Sequence, residues 1–128
     1  LIAWFSILER FALDSCDKLF IDSSHTCETG SDVNRIFFDI LPRLRAGVWI
    51  HFHDIFLPWD YPREWVIDQK IFWNEQYLLM AFLMFNEWFE VALANRYLLR
   101  EHFEKLQQAF PFLPTWDKGA SFWIRRKA

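Results

Sequence analysis

Two short apolar runs, each closed by an aspartate and joined by a stretch of helical period, constrain the fold of this chain more than any other feature. Lys18-Leu19-Phe20-Ile21 ends in Asp22, and Val48 to His53 ends in Asp54. The first is continuously apolar, the pattern of a strand buried on both faces. In the second, Val48, Ile50 and Phe52 alternate with Trp49, His51 and His53, so the two sets take opposite faces. Between the runs, Ser31 can cap a helix with Asp32 in its positive first turn, and Val33, Ile36, Phe37, Ile40, Leu41 and Leu44 recur at helical spacing. Pro42 should kink or tighten the last turn, and Gly47 is a natural stop. Strand, helix and strand in this order predict an α/β layered sheet with two adjacent parallel strands. Asp22 and Asp54 would then share the rim where such sheets bind ligands.

The remaining chain fits the same plan. Leu1 to Leu13 is apolar nearly all round and reads as a buried helix. Ile55 to Ile71 holds Pro58, Trp59, Tyr61, Pro62 and Trp65 without a sustained period, which predicts a long aromatic loop or lid. Trp73 to Phe85 reads as a helix and Phe89 to Ala94 as a third strand. Leu99, Phe103, Leu106 and Phe110 mark one amphipathic helix, and Phe122 to Ile124 a last strand.

Composition narrows the function. With 53% hydrophobic residues in a chain of 128, disorder is excluded and one core is the limit. A net charge of −3 argues against a nucleic-acid surface. The one basic run, Arg125-Arg126-Lys127, reads as a solvated tail. The longest apolar run, Tyr77 to Phe85, is far below the roughly 20 residues of a membrane span, so no membrane is expected. Leu1 to Phe11 lacks the basic leader of a signal peptide, and the first residue is not Met, which suggests a piece of something longer. Cys16 and Cys27 form neither a disulfide framework nor a zinc pattern; they read as packing residues in a reduced, cytoplasmic setting.

The chemistry gathers at the two strand ends. Asp22-Ser23-Ser24-His25 follows one strand and His51-Phe52-His53-Asp54 closes the other, which brings carboxylates and imidazoles to one crevice. Carboxylates suit Mg²⁺ or Mn²⁺, imidazole widens the choice toward Fe²⁺ or Zn²⁺, and His25 has the pKa range of a general base. Plainer readings stand beside these. Asp22 and Asp54 can cap turns, His25 and His53 can be loop histidines bonded to backbone, His51 suits a satisfied core histidine, and His102 suits the surface. Trp59, Tyr61, Trp65 and Trp73 either wall a pocket or pack. Asn74-Glu75-Gln76 reads as a solvated first turn with Glu75 facing the helix dipole.

At these residues the chain resembles the class I S-adenosylmethionine-dependent methyltransferases, particularly their small-molecule and sugar O-methyltransferase-like group. The resemblance rests on Leu19-Phe20-Ile21-Asp22-Ser23-Ser24-His25, on Ile40-Leu41-Pro42-Arg43-Leu44-Arg45-Ala46-Gly47 and on His53-Asp54. It continues through Phe56-Leu57-Pro58, Tyr61-Pro62-Arg63-Glu64-Trp65 and Trp73-Asn74-Glu75-Gln76-Tyr77. It implies a Rossmann-like sheet of which this chain holds the fourth to seventh strands, mostly parallel with the last antiparallel, flanked by helices. Residues 1–128 would be the C-terminal part of a single methyltransferase domain, without its N-terminal cofactor-binding half. Gly30, Gly47 and Gly119 make no glycine-rich nucleotide turn. The resemblance implies S-adenosylmethionine as methyl donor, a small-molecule acceptor, and His25 with Asp22 as catalytic residues. It further implies a divalent metal on Asp22, His53 and Asp54, with His53 in place of a carboxylate and Ser24 where some relatives carry an acid. Two alternatives are carried forward: an inactive fragment that forms a homo-oligomer through an exposed sheet edge, and a metal-dependent hydrolase using His51, His53 and Asp54.

Overall fold

A computed structural model describes residues 17–113 and 119–127. The expected helix at Leu1 to Leu13 and Cys16 lie outside the described residues. Four strands, β1 (Lys18–Ile21), β2 (Trp49–Phe52), β3 (Phe89–Ala94) and β4 (Phe122–Arg126), form one sheet in the order β1-β2-β4-β3. β1 and β2 are parallel, with Ile21 opposite Phe52, and β4 runs antiparallel to both β2 and β3. The expected parallel pair and antiparallel last strand are therefore present.

The connection between β1 and β2 is less regular than its period predicts. Ser31 caps as expected, its hydroxyl accepting from Asn34 N. Yet only Asp32–Arg35 (α1) is α-helical; Ile36–Ile40 widens into a π-helical turn, and Leu41–Arg43 tightens into a 3₁₀ turn around Pro42. Proline offers no N–H for an i→i−4 bond, so the register of the preceding turn shifts to accommodate it. The apolar face survives that shift. Val33, Ile36, Phe37 and Leu41 are buried against Ile21, Ile50, Phe52, Phe122 and Ile124 of the sheet, with Leu79 of α2 (Glu75–Leu83) in the same core. Each such fully buried side chain contributes roughly 1.5–3 kcal/mol.

Several expectations are corrected. β1 is not buried on both faces: Ile21 is buried, but Lys18 and Phe20 are exposed, because β1 is an edge strand among the described residues. The aromatic loop contains a π-helical turn at Glu64–Asp68, which its irregular sequence pattern concealed. The predicted single helix after β3 is two, α3 (Asn95–Glu101) and α4 (Phe103–Ala109), broken at His102, whose backbone leaves helical geometry (φ −135, ψ 27). His102 is half-buried there, edge-on to Tyr97.

Arg125 and Arg126 are not a solvated tail, since β4 continues through them. Strand alternation puts Arg126 on the same side as Phe122 and Ile124, where it is buried with its guanidinium over the Trp88 and Phe89 rings at 4.3 and 5.0 Å. A guanidinium is weakly hydrated and stacks on aromatic faces, so rings take the place of solvent.

No helix among the described residues is long and apolar enough to cross a membrane.

Candidate functional site

The parallel pairing of β1 and β2 brings Asp22 and His53-Asp54 to one rim, as the strand pattern predicts. His53 bridges them: its Nδ1 lies 3.2 Å from Asp54 Oδ2 and 3.9 Å from Asp22 Oδ1. The loop leaving β1 turns back over this rim. His25 Nε2 comes 3.4 Å from Asp22 Oδ1, so Asp22 faces both imidazoles.

His25 is the most tightly specified residue of the group. It is buried and sits in the left-handed backbone region at φ 57. For a residue with a Cβ that conformation costs energy, and it persists only where surroundings over-determine it. They do so here. The His25 N–H donates to Ser23 Oγ at 2.9 Å, and the His25 carbonyl accepts from the N–H groups of Asn74 and Glu75 at 3.0 and 3.1 Å. Asn74 Oδ1 accepts from Cys27 N at 2.5 Å, and Asp32 Oδ2 accepts from Ser24 N at 2.9 Å. The start of α2 thus clasps the loop from one side and the start of α1 from the other. Asp54, at the other tip, also has positive φ (53).

Glu75 is the member of this cluster that sequence reasoning missed. In place of a solvated first turn, its side chain is fully buried, and Oε2 lies 2.8 Å from His25 Nδ1 and 2.7 Å from the donating Ser23 hydroxyl. Among the described residues, buried Glu75 Oε1 has no hydrogen-bond partner. No local signal marked it, since Asn74, Glu75 and Gln76 at the start of an apolar helix read equally well as a solvated first turn.

Electrostatics separate the histidines. Burial opposes a charge on His25, but the hydrogen bond to Glu75 and the negative field of Glu75, Asp54 and Asp22 outweigh it and raise its pKa. Burial also opposes a charge on His51, the neighbouring His53 adds to that, and its pKa is lowered. His51 is buried as the plainer reading had it, stacked on Phe20 at 4.6 Å and tilted against Trp123 at 4.7 Å, but it is not the satisfied histidine expected, since among the described residues its Nδ1 has no partner.

The lid aromatics pack on one another beside this loop. Trp73 lies 4.1 Å from the His25 ring and meets Trp65 and Tyr61 edge-on. Gln76, fully buried, holds the lid through Phe56 N donating to its Oε1 and its Nε2 donating to the Trp59 carbonyl. The Gln76 N–H donates to the Tyr61 hydroxyl, and burial pushes the Tyr61 phenol well above its ordinary range. Trp59 stands apart, stacked on Tyr97.

The metal expectation at Asp22, His53 and Asp54 gains no support. Among the described residues no group of three or more His, Cys, Asp or Glu side chains is arranged to hold a metal ion. The hydrolase alternative on His51, His53 and Asp54 meets the same geometry. Both parallel strand tips run into acids, Gly30 lies in a turn before α1, and Gly119 packs against the Asn95 and Leu99 side chains.

The segment that builds this rim, with its acids and its strained, carboxylate-paired histidine at adjacent parallel tips, is also the segment that a family model matches. Residues 3–55 match the family model of a methyltransferase domain, a stretch that runs from before β1 to just past Asp54. This part of the chain is therefore similar to a methyltransferase domain, in keeping with the resemblance carried by its strand-tip motifs. No curated protein and no solved structure matches the chain.

Proposed function

We propose that the chain supplies the acceptor side of an S-adenosylmethionine-dependent O-methyltransferase acting on a hydroxyl of a small molecule or sugar, with His25 taking the hydroxyl proton. The observation that carries this reading is the state of His25: buried, backbone-strained, with Nδ1 engaged by Glu75 and Nε2 at the rim beside Asp22. Strain of this kind collects where a side chain must be aimed.

The sulfonium donor, when bound, supplies the methyl group. The described residues supply side chains suited to the acceptor's half of that chemistry, with His25 beside Glu75 and Asp22 at the rim. With donor and acceptor bound, His25 Nε2 would take the proton that the acceptor hydroxyl loses on methylation. Asp22, on that side of the ring, stabilises the imidazolium that forms. Trp73 covers one face of the imidazole and limits water around it. A general base in this position contributes about 10²–10⁴-fold, and holding the acceptor in line contributes more.

The test is transfer of labelled methyl from S-adenosylmethionine to a panel of hydroxylated small molecules and sugars by the full protein carrying these residues. Product with the methyl on oxygen, lost in His25→Ala with donor binding intact, supports the reading. Methylation at nitrogen or carbon, or unchanged turnover in His25→Ala, ends it.

A further inference from the structure

We infer that Glu75 is the positioning residue of the site: its buried carboxylate, 2.8 Å from Nδ1 against 3.4 Å from the exposed Asp22 to Nε2, fixes the His25 imidazole as the Nδ1–H tautomer and leaves Nε2 as the unprotonated nitrogen at the rim. The inference rests on the reading of His25 as proton acceptor and adds what makes that nitrogen available. A carboxylate has only acceptors to offer. With Glu75 Oε2 at 2.8 Å, inside hydrogen-bond distance, and Asp22 Oδ1 farther away at 3.4 Å from Nε2, the neutral ring carries its hydrogen on Nδ1. In water a neutral imidazole distributes its proton between both nitrogens, so an unheld ring at this rim would spend part of its time with Nε2 blocked.

The surroundings of Glu75 leave it no other task. Its side chain is fully buried, and among the described residues Oε1 has no partner and Oε2 receives only Ser23 and His25. Ser23 locks the arrangement from both ends, since its hydroxyl donates to Glu75 and accepts the His25 N–H. The Glu75 backbone N–H meanwhile holds the His25 carbonyl. One residue therefore sets both the rotation of the loop and the proton on the ring. Asp22 cannot substitute, because it lies on the Nε2 side and is more than half exposed.

The test is long-range proton–nitrogen NMR of the ring nitrogens in the full protein, with the His25 signals identified by their loss in His25→Gln. Under conditions where the ring is neutral, the wild type is expected to show only the Nδ1–H form. In Glu75→Gln the amide can donate as well as accept, and the ring is expected to shift to a mixture rich in Nε2–H. Turnover should fall about 10²-fold with KM nearly unchanged, because ground-state contacts to the acceptor remain. A wild-type ring in the Nε2–H form overturns the inference without any variant, and so does a Glu75→Gln ring that keeps the Nδ1–H form. The two readings fail separately. A tautomer change in Glu75→Gln with turnover insensitive to His25→Ala removes His25 as base and leaves Glu75 as its anchor; the converse pattern removes Glu75 and leaves His25.

Discussion

His25 and His51 are buried to the same degree, 4% exposed each, yet the surroundings push their pKa values in opposite directions. His25 is ringed by a buried carboxylate, two rim carboxylates and backbone donors; His51 is sandwiched between Phe20 and Trp123 with an orphan Nδ1. Burial by itself disfavours the charged ring in both. What differs is the partner, and the partner comes from α2, fifty residues downstream of His25. A buried histidine is thus poised for proton chemistry when a distant element delivers a carboxylate to it, and is a packing residue when it is met by rings.

The largest effect that sharpens this contrast is catalytic. His25→Ala should lower methyl transfer about 10²–10⁴-fold, the range of a general base. An equal loss in a His51 variant that melts like wild type would erase the distinction between the two rings. Next in size is stability. Glu75→Ala should destabilise the fold by about 3–5 kcal/mol, the range seen when one member of a buried pair is removed and the other is left uncompensated. Denaturant unfolding measures this. A loss under about 1 kcal/mol would mean that His25 and Ser23 find other partners or water, and that the loop is held by backbone bonds alone.

Much of this was legible in the sequence, and what was hidden has one physical character. The tips of β1 and β2, the Ser31 cap and the shared rim of Asp22 and Asp54 followed from short-range patterns: alternation, helical spacing and a polar residue closing an apolar run. Glu75 was hidden because its role depends on a tertiary contact. At the start of a helix a glutamate favours the dipole whether or not it is buried, so the local pattern is the same in both cases. Arg126 was hidden for a related reason, since nothing in Arg125-Arg126-Lys127 reports that Trp88 lies close enough to cover a guanidinium. Phe20 erred in the other direction: an apolar residue in a strand predicts cover, and at the edge of the described sheet it stays exposed with the His51 ring stacked against it.

Acidity separates the two histidines next. The folded-state pKa of His25 is raised, so its contribution to stability is fully present below the unfolded value of about 6.5 and is lost as pH rises through the folded value. For His51 the folded pKa is lowered, so its contribution is present above about 6.5 and is lost as pH falls toward the folded value. Thermal melts from about pH 5 to about 8.5 should therefore change in opposite senses: His25→Gln flattens the alkaline decline, and His51→Phe flattens the acid one. Turnover follows the complementary rule, since the base must be unprotonated. It should rise with pH through a midpoint above about 6.5 and lose that dependence in His25→Gln. A midpoint below that value would mean that burial outweighs Glu75, the reverse of the raised pKa.

The smallest expected effect is the most discriminating for His51. Replacing a buried, unpartnered polar atom by an apolar group of similar shape is nearly neutral or stabilising, because no hydrogen bond is lost and a desolvation cost is removed. His51→Phe keeps a ring between Phe20 and Trp123 and should change stability at about pH 8 by less than about 1 kcal/mol. At about pH 5 it should be a net gain, since the variant has no ring nitrogen to protonate on unfolding. The introduced phenyl ring would also keep the edge-on approach that His51 makes to His53, so the variant should leave the rim geometry and methyl transfer intact. A loss of several kcal/mol at the alkaline end would show that Nδ1 has a partner in solution, a bound water being the simplest. It would make His51 a polar member of the rim, no longer the packed counterpart of His25.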